Sequence, residues 1–183
     1  MATAKNPTRV VTGKVRLSYV HLFEPYSSNP DQDPKYSTTI LIPKGDKTTL
    51  AKIHAAIDAA KEDGKASKFG GRIPTNLSIT LHDGDEEADL ERNPEYAGHY
   101  YMAMSSKARP GVVDQDLNAV VDPMQVYSGC YARVSINAFP YSAQGKKGIS
   151  FGLNNVQFLD DGEPLGGRSR AEDDFADDAA DLL

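Results

Sequence analysis

Apolar positions in this chain recur mostly with a period of two, the spacing of a β-strand with one face inward. Residues 9–22 (Arg-Val-Val-Thr-Gly-Lys-Val-Arg-Leu-Ser-Tyr-Val-His-Leu) predict a long strand, with Val11, Val15, Leu17 and Tyr19 on one face and Lys14, Arg16 and Ser18 on the other. Residues 24–35 carry three prolines among Ser, Asn and Asp, which is loop composition. Tyr36 to Ile42 reads as a second strand, rich in β-branched residues and stopped by Pro43. Only one stretch has a convincing helical period. Leu50, Ile53, Ile57 and Ala60 fall on one helix face, Asp46 can cap its start, and Gly64 supplies a stop. The segment 64–72, with glycines among bases and one aromatic, predicts a mobile basic loop.

Leu77 to His82 and Gly98 to Ser105 read as further strands joined by an acidic insertion. The strictest alternation lies in Cys130 to Phe139. Even positions (Cys130, Ala132, Val134, Ile136, Ala138) are small or aliphatic, while Tyr131, Arg133, Ser135, Asn137 and Phe139 occupy the odd ones. Gln144 to Gly148 forms a basic turn, and Ile149 to Leu159 is the last strand. Strands without βαβ alternation, plus one helix, predict a mainly β fold: a five-stranded antiparallel barrel over residues 9–160. Residues 1–8 are then a flexible N-terminus and 161–183 a disordered linker and acidic tail, too poor in large apolar groups to offset the entropy of ordering.

Charge changes the picture only once it is mapped along the chain. The net charge is −6, but residues 171–183 hold six acids and no base, so residues 1–170 balance 20 bases against 20 acids. Within that body, Asp83 to Glu95 concentrates seven acids against Arg92, leaving 19 bases and 13 acids elsewhere. Most of the domain is therefore basic, with its acid gathered into two segments. A single cysteine, Cys130, excludes an internal disulfide framework and fits a reducing cytoplasm. No apolar leader or membrane-spanning run is present, so the expected location is the cytoplasm, that of a host cell if the chain is phage-encoded.

Gripping an unpaired strand takes cations for phosphates and aromatic faces for bases, and this chain interleaves both. Tyr131, Arg133 and Phe139 share one strand face; Tyr141, Lys146 and Lys147 sit at the following turn; Tyr26, Lys35 and Tyr36 flank the first long loop. Lys14 and Arg16, together with Lys68, Phe69 and Arg72, extend the candidate set. Packing under the helix or in a dimer interface is the competing explanation for the aromatics, and a solvated face the competing one for the cations. No phosphate-binding glycine loop, nucleophile elbow or zinc signature is present, and no cofactor is expected. Asp83, Asp85 and Glu86 could ligate a hard cation, the basis of a metal-dependent nuclease reading, but they lack the full spacing of a calcium loop. A module that docks protein through the same aromatic and basic face is the nearer rival.

Several segments together resemble a known family, the bacteriophage single-stranded DNA-binding proteins. They are Phe-Glu-Pro (23–25), Lys-Tyr-Ser-Thr-Thr-Ile-Leu-Ile-Pro-Lys (35–44), Leu-His-Asp-Gly-Asp (81–85), Tyr-Ser-Gly-Cys-Tyr-Ala-Arg-Val-Ser-Ile-Asn-Ala-Phe (127–139) and Gly-Ile-Ser-Phe-Gly-Leu-Asn-Asn-Val-Gln (148–157). The resemblance implies an oligonucleotide/oligosaccharide-binding (OB) fold and a non-catalytic protein that coats single-stranded DNA in phage replication or recombination. Its helix falls here after the second strand, whereas the usual barrel of this kind carries it between the third and fourth. The tail is similar in kind to those that recruit replication and recombination proteins. Asp173, Asp174, Phe175, Asp177, Asp178, Asp181, Leu182 and Leu183 would form the docking segment, although the chain closes on Leu-Leu rather than phenylalanine. Charge alone adds that such a polyanion competes for a basic groove. Exposed sheet edges make a homodimer a further expectation.

Overall fold

The computed structural model describes residues 6–27 and 29–165, and the tail residues Asp173 to Leu183 lie outside them. In chain order the elements are β1 (Arg9–Val11), β2 (Val15–Tyr26), β3 (Lys35–Pro43), α1 (Lys47–Ser67), β4 (Ser78–Ile79), β5 (His82–Asp83), α2 (Gly84–Glu87), β6 (His99–Ser106), β7 (Gly111–Val113), β8 (Tyr131–Ala143) and β9 (Lys146–Asp160). Short 3-10 turns at Pro94–Tyr96 and Pro123–Gln125 complete the set.

The architecture is mainly β, as the alternation requires, but not the purely antiparallel arrangement with one helix that the pattern suggests. β2 pairs antiparallel with β3, β3 with β6, β8 with β9, and β8 with β2. β9, however, runs parallel to β6 at Ser105 and Gly152, and parallel to β4 and β7 along its length. β4 falls within the strand expected at 77–82, whereas β7 lies on a connection that carries no periodicity of its own, and local pattern does not reveal that these pairings are parallel. A second, four-residue helix, α2, occupies the acidic insertion, with Asp83 accepting from the Asp85 N–H as its cap.

Side chains from every long strand meet in one core containing Leu17, Ile40, Ile42, Met102, Met104, Ile136 and Phe151. Ile53, Ile57 and Ala60 close it from α1, which packs chiefly on β8. Asp46 caps α1 as expected, its carboxylate accepting from the Thr49 N–H at 3.1 Å. Gly64, by contrast, does not stop the helix, which runs on to Ser67. Phe69 and Pro140 press on its Cα instead.

The single strand expected over 9–22 is divided. β1 pairs with residues 135–137 of β8, whereas β2 reaches Tyr131 and Ala132, so the chain must bend between them. Gly13 makes the bend, donating its N–H to Thr49 Oγ1 at 2.9 Å. Farther along, β2 slips register after Ser18, and Tyr19 adopts a positive φ of 48°. That slip inverts the expected faces: Ser18 is buried and Tyr19 is 58% exposed.

The body also extends past the expected limits of 9 and 160. Thr8 is buried and its carbonyl accepts from the Ala138 N–H. Beyond β9, residues 161–165 form a strap over the end of β8. The Gly162 N–H donates to Tyr127 Oη, the Glu163 carbonyl accepts from Arg16, and the Leu165 N–H donates to the Ser128 carbonyl.

Candidate nucleic-acid interface

The long hairpin β8–β9 turns through Gln144 and Gly145, both at positive φ, the two-residue geometry that matches strand twist. This tight turn carries Lys146 and Lys147 to the hairpin tip, and strand alternation places Phe139 and Tyr141 together on one side of β8. On the neighbouring strands, Tyr26 ends β2 directly opposite Lys35 at the start of β3. Three hollows join these two regions. The first, of about 490 Å³, lies between Tyr26, Asp33, Lys35 and Lys107. A second, of about 370 Å³, shares Lys35 and Ser105 with it and is lined by His82, Phe139 and Tyr141. The third, of about 360 Å³, shares Ser78 with the second and ends at Asn76, Lys146 and Lys147.

Adjoining through these shared residues, the three hollows make up a groove bordered by Ser27 and Gln32 at one end and the hairpin tip at the other. Its walls carry four lysines (Lys35, Lys107, Lys146, Lys147) against one carboxylate, Asp33. Phe139 is 42% exposed and Tyr26 53% exposed, the latter with its ring stacked on His21 at 4.3 Å and 8°. Burial holds the His21 pKa below its ordinary value, which favours a neutral ring under Tyr26. The floor is polar and small, with Ser37, Ser105 and Ser150 lining it. Exposed aromatic faces beside mobile cations over such a floor can take stacked bases and phosphates of any sequence.

Six of the candidate residues meet there: Tyr26, Lys35, Phe139, Tyr141, Lys146 and Lys147. The others are elsewhere. Phe69 is only 4% exposed and belongs to the core, packed against Gly64, so its ring offers no face to a base. Lys68 and Arg72 are exposed in the turn around it, apart from the groove. Tyr36 alternates away from Lys35 onto the strand face of buried Thr38 and Ile40.

Lys14, Arg16, Tyr131 and Arg133 gather at the opposite end of β8. Eight residue steps, about 27 Å of extended strand, separate Tyr131 from Phe139. Lys14 and Arg16 lie over the Tyr131 ring at 5.0 and 5.7 Å, and Lys14 also pairs with Asp160 at 3.0 Å. Arg16 donates to the Gly129 and Glu163 carbonyls, while Arg133 donates to the Thr12 carbonyl. These bonds hold the strap and the β1–β2 bend, a structural use of charges that the sequence placed with the strand grip.

Comparison with known proteins identifies the family. Residues 8–183 match the family model described as the single-stranded DNA-binding protein of Enterobacter phage Enc34. The chain belongs to this family. It is 30% identical over 176 residues to putative protein p50 of Acyrthosiphon pisum secondary endosymbiont phage 1, covering 93% of each. Among solved structures, the Enc34 single-stranded DNA-binding protein in complex with ssDNA superposes with a TM-score of 0.74 at 28% identity, over 88% of this chain and 91% of that one. Gp2.5, the single-stranded DNA-binding protein of bacteriophage T7, shares the fold at a TM-score of 0.58 and 16% identity, over 92% and 93% of the two chains.

Several lining residues of this Enc34-family chain carry no signal in the sequence. Lys107, Ser105, His82, Ser78 and Asn76 come from strand ends and connections, and only the sheet pairing brings them to the groove. Asp83 and Asp85 of the acidic insertion enter a network of their own. Lys44 Nζ lies 2.7 Å from both Asp83 and Asp85, whose carboxyls it holds below their ordinary range while its own pKa is raised. Asp85 also accepts from the Gly98 N–H, so both of its oxygens, and Asp83 Oδ1, already have partners. Cys130 is fully buried, and burial pushes its thiol up to about 11, consistent with packing rather than reactivity. No helix among the described residues is long and apolar enough to cross a membrane.

Proposed function

We propose that this chain is a non-catalytic, sequence-tolerant single-stranded DNA-binding protein that coats and protects single strands during phage replication and recombination. The observation that carries this reading is the row of adjoining hollows lined by Tyr26, Phe139 and Tyr141 together with Lys35, Lys107, Lys146 and Lys147. Its scaffold is an OB-type barrel whose five ring strands are β2, β3, β6, β8 and β9. The reading rests on pairings that pass from β2 through β3, β6, β9 and β8 back to β2. Its groove then lies between the two loops that border the oligonucleotide cleft in such barrels. The helix follows the second ring strand. The acidic segment 171–183 serves either to compete for the groove or to recruit replication and recombination proteins.

Titrating a labelled oligonucleotide by fluorescence anisotropy across a salt series tests the assignment. Each phosphate contact to a single strand contributes about −0.7 to the slope of log K against log salt. Four engaged lysines therefore predict a slope of about −3, and Lys→Gln at position 35, 107, 146 or 147 should each flatten it by about 0.7. A protein-docking surface made of the same residues predicts no oligonucleotide binding, and that outcome overturns the proposal.

A further inference from the structure

Resting on that reading, we propose that His82 is a proton-linked contact for a backbone phosphate of the bound strand, oriented by Glu87. β5 is only two residues long, and His82 lies directly opposite Tyr101 of β6 with the two rings 5.2 Å apart. Glu87, at the end of α2, clasps this short strand with both oxygens. Its Oε1 lies 3.1 Å from His82 Nδ1, and its Oε2 accepts from the Asp83 N–H at 2.9 Å. Those two bonds, the Asp83 N–H first and His82 second, hold the Glu87 carboxyl below its ordinary range and hence ionised. An ionised carboxylate only accepts, so Nδ1 carries the proton and the tautomer is set by the fold.

Nε2 is thereby left as the ring nitrogen free to serve the groove, whose central hollow His82 lines together with Lys35, Phe139 and Tyr141. In the neutral ring that nitrogen is an acceptor, and a phosphodiester oxygen repels it. Once protonated it donates, adding a charge-assisted bond to phosphate. Strand binding should accordingly take up one proton, an N–H bond forming at Nε2 as the buffer acid gives that proton up. The charged and titratable groups in contact with this ring are Glu87 from α2 and Tyr101 from β6, and those that line the same hollow are Lys35 from β3 and Tyr141 from β8. Of these, Tyr101 is held protonated by burial, and the neighbouring Asp83 carboxylate is occupied by Lys44. Histidine is the side chain whose charge ordinarily changes between about pH 5 and 8.

Oligonucleotide titrations at constant salt between about pH 5.5 and 8 test the contact, paired with calorimetry in buffers of different ionisation heats. The full chain should bind about fivefold more weakly at the upper pH, the scale of one exposed charge-assisted hydrogen bond, and should take up protons on binding. His82→Gln should flatten the profile and abolish the uptake, whereas His82→Lys should be flat at the tight level. Glu87→Gln should move the fall in affinity to lower pH, and His21→Gln, whatever it does to affinity through Tyr26, should keep the wild-type pH dependence and proton uptake. An identical pH profile and proton uptake in wild type and His82→Gln overturns the inference, as does transfer of the effect to His21. Failure of the wild-type chain to bind at any of these pH values would instead strike the proposed function itself.

Discussion

The ring of Phe69 lies against Gly64 so closely that a Cβ on the glycine would come within 2.6 Å of its Cε2 and equally near the Cβ of Pro140. Pro140 sits between Phe139 and Tyr141, so the end of α1 supports the strand that presents two groove aromatics. In an exposed helix, glycine to alanine ordinarily stabilises by up to about 1 kcal/mol. Here the sign should reverse, and Gly64→Ala should lose about 1–3 kcal/mol through overpacking, read as a lower urea midpoint at unchanged slope.

The two ends of β8 should respond differently to alanine. Phe139→Ala and Tyr141→Ala should each weaken oligonucleotide binding by about 1–3 kcal/mol, the worth of one stacked base. Tyr131→Ala should leave affinity within about twofold, since its ring faces Lys14, Arg16 and Gly162 of the strap. It should lower the thermal midpoint instead. Equal losses of affinity at positions 131 and 139 would contradict this division.

Removing residues 171–183 deletes six carboxylates and no base. If that segment competes for the groove, its loss tightens binding most at low salt, where the internal competition is strongest. Rising salt weakens competitor and strand alike, so the truncated form should show the steeper salt slope and the two forms should converge near about 1 M salt. Coincident titrations at all salt concentrations would leave recruitment as the remaining role.

Acid should loosen the insertion through Lys44. Asp83 and Asp85 have folded-state pKa values below the ordinary 3.8, so their pairing stabilises the fold above that value. The contribution fades as pH falls through the lowered folded values. Lys44→Met should therefore be less stable than wild type at neutral pH, with a deficit that shrinks as pH is lowered below 3.8, as measured by urea unfolding across that range. A deficit that persists undiminished in acid would mean that the lysine stem, rather than its charge, matters.

Local pattern determined a good deal of this protein. Period-two alternation located β3, β6, β8 and β9, helical spacing with Asp46 located α1, and the proline-rich loop and basic turn marked both borders of the groove. All of these are short-range preferences, written in a few neighbouring residues. Tertiary structure alone decided which charges and rings face the groove. Phe69 reads as a loop aromatic until Gly64 gives it a place in the core. Tyr131 and Phe139 share a strand face yet serve opposite ends, because eight residue steps of extended chain separate them. His82 ends one strand that the pattern locates and Lys107 follows another, yet they become groove residues only through the pairing of β5 with β6 and of β9 with β6 and β4. Such pairings join residues far apart in the chain, and their register is set by core packing, which no local window of sequence contains.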